Sequence, residues 1–190
     1  VQNARMTAHI PTLSLSDVET PQFVSAIGEA YEHYGFVIIE NHGIPQELID
    51  RFLHQFKTFF AWTEAEKHRF HLKGGGGARG YTPFGIETAK GSAHFDLKEF
   101  WHIGRELPEG HPYRHYMADN VWIDSIPGFR ETCIEMFDTF DLTGRRLLTA
   151  IARVLKLAPD FFEDKVQLGN SVLRVIHYPP MPPNPAESIR

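Results

Sequence analysis

Gly35-Phe36-Val37-Ile38-Ile39-Glu40-Asn41-His42-Gly43-Ile44-Pro45 compresses a helix stop, a strand, a turn and a helix start into one short stretch. Ahead of it, Thr20-Pro21 supplies a cap and a proline at a first helical position, and Phe23, Ile27, Tyr31 and Tyr34 follow three or four residues apart. That spacing predicts an amphipathic helix closed by Gly35. Phe36 to Ile39 is a short apolar, β-prone run, which predicts a strand buried on both faces. Asn41-His42-Gly43 then turns the chain. Leu48, Ile49, Phe52, Leu53, Phe56 and Phe60 fall on one face of a second helix starting near Pro45.

Further on, Trp62 to Lys67 adds a short helical turn, and residues 72 to 92 form a long mobile loop with fixed anchor points, because Gly74 to Gly77 are consecutive and Gly80, Gly85 and Gly91 follow. Asp96 to Ile103 reads as a strand, and Pro108 to Tyr116 as a polar connection. The longest helix runs from about Gly128 to Lys156, with Phe129, Cys133, Phe137, Phe140, Leu147, Leu148, Ile151 and Leu155 on its apolar face. Pro159 opens a last short helical segment, and Ser171 to Tyr178 is a β-rich run ending in a proline stretch. Helices and strands mix without a regular βα alternation. This excludes a doubly wound sheet and predicts an α+β class, with helices packed on a mostly antiparallel sheet.

A chain of 190 residues, 42% hydrophobic and 13% aromatic with 15 Phe, has the material for one folded domain and shows no internal repeat. The net charge of -5 offers no basic field for a phosphate backbone, so nucleic acid is not an expected partner. Cys133 is the single cysteine, so no internal disulfide is available and the cytoplasm is the default compartment. No signal-peptide core opens the chain and no apolar run approaches a bilayer span, so no membrane association is expected.

Several motifs carry less than they suggest. The glycine run lacks the Gly-Lys-Ser/Thr ending of a phosphate loop, since Ala78-Arg79-Gly80-Tyr81 follows it. His94-Phe95-Asp96 has the H-x-D spacing of an iron site, with His102 or His115 conceivable as a third ligand. With 11 histidines such a triplet arises easily, and Asp96 opens a strand rather than following one. His111 and His115 have zinc-helix spacing, but Pro112 lies between them and no acidic base accompanies them. Cys133 lies on the apolar face of the long helix and reads as core.

Four segments in fixed order are more informative. They are Gly35 to Pro45, Arg79-Gly80-Tyr81-Thr82-Pro83-Phe84-Gly85, Asp96-Leu97-Lys98-Glu99-Phe100-Trp101-His102, and Leu173-Arg174-Val175-Ile176-His177-Tyr178-Pro179-Pro180. Together they resemble the isopenicillin N synthase-like group of iron(II)- and 2-oxoglutarate-dependent oxygenases, which includes plant flavonoid and gibberellin oxidases and ACC oxidase. The resemblance covers about residues 8 to 185.

The resemblance implies a distorted double-stranded β-helix, or jelly roll, with flanking N-terminal helices. Residues 1–170 would form the N-terminal helix and strand region, and 171–190 the start of an incomplete iron-binding core. In the family the iron-binding His-x-Asp lies shortly after Tyr-Pro-Pro, and the second histidine and the Arg-x-Ser clamp follow further on. The expectation is therefore an N-terminal portion, without metal ligands or catalytic residues of its own.

Fe(II) and 2-oxoglutarate are the implied cofactors, and dioxygen and a small organic molecule the implied partners, with hydroxylation the commonest outcome. Tyr178 matches the family tyrosine that helps bind the 2-oxoglutarate carboxylate or, in the penicillin-forming branch, a substrate carboxylate. Arg174, Ile176 and Tyr178 share one strand face by alternation, and so do Phe100 and His102. Ile176 departs from the asparagine common in plant members, and Arg174 is placed to pair with an anionic substrate group. Phe100 and His102 match positions that border substrate, and Arg79 and Tyr81 lie near a substrate-binding arginine of the isopenicillin N synthase branch. His42 and Gly43 are explained by the turn. Two alternatives stay open: an oxidase on the same fold that uses no 2-oxoglutarate, and a binding module without an iron site.

Overall fold

The computed structural model describes residues 9–88 and 95–180. His94 and Gly91, and Met181, Pro182 and Pro183 of the terminal proline stretch, lie outside the described residues. The chain divides into two compact units, one formed by Val1–Pro45 with Thr139–Gln167, the other by Gln46–Asp138 with Leu168–Arg190.

In the first unit, β1 (Thr12–Ser14) pairs in parallel with β2 (Ile38–Glu40), and α1 (Pro21–His33) lies between them in the chain. The Thr20 side chain accepts a hydrogen bond from Phe23 N, as an N-cap does, which contributes about 1 kcal/mol. Leu15, Val18, Phe23, Ile27 and Ala150 are buried together, with Leu13, Val37, Ile39, Leu147 and Val154 packed around them. Ala150 and Val154 belong to α4 (Phe129–Val154), whose first turns fall in the second unit. Gly28 lets α1 and α4 approach closely: a Cβ there would stand 3.0 Å from Val154. α5 (Glu163–Val166) completes the unit.

Two expectations need correction here. The run Phe36 to Ile39 is not buried on both faces: Val37 and Ile39 turn to the core, while Phe36 is 68% and Ile38 51% exposed. Among the described residues its sheet has only two strands, and the core covers one face. On α1, Ala30 is buried in place of the expected Tyr31 and Tyr34, which are exposed. At ~100° per residue, positions 23, 27 and 30 stay on one side while 31 rotates off it; Tyr34 is the C-cap, past the last residue of the helix.

The second unit contains α2 (Gln46–Phe60), α3 (Glu64–His68) and an antiparallel sheet in the order β3 (Gly80–Thr82), β4 (Glu99–Gly104), β5 (Val172–His177). α3 opens on a capping box, with Thr63 and Glu66 satisfying each other's backbone amides. Phe56, Phe59, Phe70, Trp101 and Phe129 pack ring against ring, with centroids between 5.0 and 6.2 Å apart where they meet. Burial of each large aromatic side chain is worth about 1.5–3 kcal/mol. The region expected as continuous loop contains β3, buried throughout. Gly80 makes this possible: its φ is +70° and a Cβ would lie 2.8 Å from the Phe70 carbonyl oxygen. On α4, Phe129, Cys133, Met136 and Phe137 are buried, whereas Phe140 of the expected apolar face is exposed, as is Leu155, one residue past the end of the helix.

Candidate functional site

The register of the three-stranded sheet sorts its side chains into two groups. Thr82 lies opposite Phe100 and Phe100 opposite Ile176, while His102 lies opposite Arg174. Alternation therefore puts Thr82, Phe100, His102, Arg174 and Ile176 on one face. Tyr81, Glu99, Trp101, Val175 and His177 take the other face, toward the aromatic core. Tyr178, one residue past β5, continues the Arg174 and Ile176 side and is 65% exposed.

On the first face three side chains lock together. The Arg174 guanidinium lies over the Phe100 ring, 4.4 Å from its centroid, and Arg174 Nε donates to His102 Nε2 at 2.5 Å. His102 Nδ1 is 2.5 Å from the Gly77 carbonyl oxygen. A carbonyl only accepts, so Nδ1 carries the proton and Nε2 is left as the acceptor Arg174 requires. The imidazole is thus neutral. Burial is the main cause that holds its pKa below the ordinary value of 6.5, and the Arg174 charge adds to it against the opposing Gly77 bond. Gly77, in the glycine run, has φ +71° and a Cβ there would come 3.0 Å from Thr82 Oγ1, so a glycine is what allows the loop to bring this carbonyl down.

Beyond Arg174, Thr88 and Phe95 form a β-bridge and Asp96 N donates to the Glu87 carbonyl at 2.9 Å. Lys98 Nζ joins the carboxylates of Glu87 at 2.6 Å and Asp96 at 2.9 Å. The hydrogen bond from Lys98 holds Glu87 below the usual carboxylate range, and the bonds to Asp96 and Glu87 hold Lys98 above the usual amine range. Arg174 Nη2 lies 3.6 Å from Glu87 Oε1.

The opposite face holds a cluster that the sequence did not announce. Glu99 is bonded by Lys67 Nζ at 2.7 and 3.0 Å, by the Tyr81 hydroxyl at 2.5 Å and by His177 Nδ1 at 2.8 Å. His177 is stacked on Phe60 with centroids 5.1 Å apart. Burial first, then the bond to Glu99, pushes the Tyr81 phenol far up, so it is a permanent donor. The available signal was Glu99 itself, a carboxylate alternating with Trp101 and Ile103 on a strand, where burial of the charge demands a partner.

The other singled-out residues divide plainly. Arg79 is buried, donates from Nη1 to the Ala78 carbonyl and from Nη2 to Asn170 Oδ1 at 2.9 Å, and lies against Gly104. Tyr81 points to the face opposite Arg174, whereas Arg79 is buried against Gly104, which shares its strand face with Phe100 and His102. His111 caps a 3-10 turn at Pro112–His115 through its bond from Tyr113 N, and Asp96 is held by Lys98. Burial pushes the Cys133 thiol well up, as expected of core. Asn41 at φ +51° and Gly43 at φ +79° form the expected turn, with His42 Nδ1 accepting from Ile44 N. Among the described residues no three His, Cys, Asp or Glu side chains form a metal-holding group. No helix among them is long and apolar enough to cross a membrane.

Comparison with known proteins agrees with this architecture. A 2OG-Fe(II) oxygenase family protein from Caulobacter crescentus superposes with a TM-score of 0.84 at 45% identity, over 94% of this chain and 59% of that one. The full-length T7H of Neurospora crassa in complex with alpha-KG superposes with a TM-score of 0.72 at 25% identity, over 90% of this chain and 54% of that one. The 2-oxoglutarate-Fe(II) type oxidoreductase hxnY of Emericella nidulans is 29% identical over 175 residues, covering 88% of this chain and 50% of the relative. The chain spans about half the length of the curated relatives it matches. Residues 10–125 match the family described as non-haem dioxygenase in morphine synthesis N-terminal, which takes in more than half of the 190 residues. The chain belongs to this N-terminal family of the 2-oxoglutarate- and iron(II)-dependent oxygenases.

Proposed function

We propose that the chain forms the ligand-facing wall of an iron(II)- and 2-oxoglutarate-dependent oxygenase that oxidises a small organic molecule bearing an anionic group. The observation that carries this reading is Arg174, a cation set on an aromatic ring and aimed by a neutral histidine on a half-open sheet face. Such a guanidinium is pre-organised for a carboxylate, because its plane is fixed before the ligand arrives. Phe100, His102 and Ile176 line the same face and would shape specificity. Tyr178, with its ring in solvent beside them, is assigned the 2-oxoglutarate carboxylate. Tyr81 would act from behind the sheet through Glu99, and Arg79, buried against Gly104 and tethered to Asn170, would hold the strands rather than touch substrate.

Support comes from relatives whose names specify iron(II) and 2-oxoglutarate and from a neighbour that binds alpha-KG. In this reading β3 to β5 begin a jelly roll, with residue 171 onward leading into its iron-binding part, and the metal ligands lie outside the described residues. Iron and 2-oxoglutarate would supply the oxidising power drawn from dioxygen; the residues of this chain would bind, orient and shield the organic ligands.

The test is succinate release by the complete iron-loaded protein, given 2-oxoglutarate and a set of small carboxylic acids beside their uncharged amides. The acids should stimulate succinate release and the amides should not, and Arg174→Met should remove the difference. Equal stimulation by acids and amides overturns the anionic-substrate reading. Oxidation without succinate points instead to an oxidase that uses no 2-oxoglutarate.

A further inference from the structure

Arg174 does not wait for a ligand with its charge uncompensated. Its Nη2 faces Glu87 Oε1 at 3.6 Å, with the two side chains 36% and 38% exposed. That separation exceeds hydrogen-bond length, so the pair is a loose one. Among the described residues no protein group accepts a hydrogen bond from either terminal nitrogen of Arg174; only Nε is engaged, by His102. Glu87 meanwhile has a much shorter contact, 2.6 Å, from its other oxygen to Lys98. The backbone at Glu87 is pinned by the Asp96 N bond and the Thr88–Phe95 bridge, so the carboxylate can change partner by side-chain rotation alone.

We propose that Glu87 is a built-in counter-ion for Arg174 that a ligand's carboxylate displaces, with Lys98 retaining the displaced side chain. This rests on the assignment of Arg174 to an anionic ligand group. The ligand class is a small organic carboxylate. An ionised carboxylate can make the short, charge-assisted bonds to the outer edge of the guanidinium that Glu87 does not make. A neutral ligand cannot compete for a cation that already has an anion beside it, so Glu87 contributes selectivity by opposing the wrong ligand. Lys98 and Glu87 therefore have opposite effects on ligand affinity, although they belong to one ion-pair cluster.

The experiment is a calorimetric titration of the complete protein, loaded with iron(II) and 2-oxoglutarate and kept free of oxygen. The probes are benzoate, phenylacetate and cyclohexanecarboxylate, with benzamide as the uncharged control. Glu87→Gln should bind the carboxylates about two- to fivefold tighter, the range that exposed ion pairs support. Lys98→Met should bind them weaker by about the same factor, because Glu87 then settles on Arg174. Glu87→Asp, which keeps the charge, should stay near wild type, and benzamide should not respond to any of the three.

A merely structural role for the cluster would move Glu87→Gln and Lys98→Met in the same direction, which overturns the proposal. Unchanged affinity in Glu87→Gln, or binding of none of the carboxylates by it, does the same. If Arg174→Met abolishes carboxylate binding while Glu87→Gln changes nothing, only the counter-ion role fails. If Arg174→Met binds carboxylates normally, the assignment of Arg174 itself fails.

Discussion

Lys67 and Glu99 meet inside the second unit with 2.7 Å between Nζ and Oε2, their side chains only 5% and 1% exposed. Lys67 comes from α3 and Glu99 from the central strand β4, so one ion pair ties the short helix to the sheet. Tyr81 on β3 and His177 on β5 donate to the same carboxylate. All three strands thus converge on Glu99 from behind the face that carries Arg174.

Removing one partner should cost far more than removing both. Lys67→Met leaves a buried carboxylate with two donors but no cation, and the expected loss is about 3–5 kcal/mol. Lys67→Met combined with Glu99→Met should recover a large part of it, since neither charge then has to be desolvated. Chemical denaturation of the single and double variants measures this, and a single-variant loss below about 1 kcal/mol would contradict the buried-pair account.

His102 makes stability depend on pH with a definite sign. Its native pKa lies below the ordinary 6.5, chiefly through burial. Between that lower value and 6.5 the unfolded chain binds a proton that the folded chain refuses, so stability rises with pH across the window and is lost as pH falls through it. His102→Gln removes the titration and should flatten the slope of unfolding free energy against pH below 6.5. An unchanged slope in the variant would show that the imidazole is not the group responsible.

Gly104 is set by Arg79. A Cβ on Gly104 would stand 2.0 Å from Arg79 Cζ, and the guanidinium is tethered by the Ala78 carbonyl and Asn170. Gly104→Ala should therefore cost about 1–3 kcal/mol by displacing Arg79. In an Arg79→Met background the same substitution should cost less, and a double-mutant cycle reads the difference. Additive losses would locate the strain elsewhere.

What the sequence revealed and what it hid follow the range of the interaction. The shared face of Phe100 and His102, and that of Arg174, Ile176 and Tyr178, was legible because alternation along a strand is a local property. The turn at Asn41 to Gly43 and the Thr20 cap were legible for the same reason, each being decided within a few residues. The bond between His102 and Arg174 spans 72 positions and the Lys67–Glu99 contact 32, and no local pattern encodes such pairings. The exposure of Phe36 and Ile38 was hidden because an apolar run states its own preference and not what covers it. Arg79 stood near a family substrate position in sequence, and its burial on the strand face shared with His102 was hidden because it depends on Gly104, 25 positions away, leaving room for a guanidinium.

Arg174→Lys keeps the charge and tests whether the geometry matters. A lysine has no Nε to donate to His102 and no plane to lie on Phe100, where the guanidinium now sits 4.4 Å from the ring centroid. Its ammonium would be free to follow Glu87, which removes the pre-organisation on which the assignment of Arg174 depends. If Arg174 holds the substrate's anionic group, loss of the charge-assisted fork should raise KM by about tenfold to a hundredfold. kcat should change little, because the group held is remote from the bond being oxidised. The two constants are separated by following succinate release against substrate concentration in the complete enzyme. A lysine variant with an unchanged KM would mean that charge alone suffices at this position, and that the stack on Phe100 and the bond to His102 serve the sheet rather than the ligand.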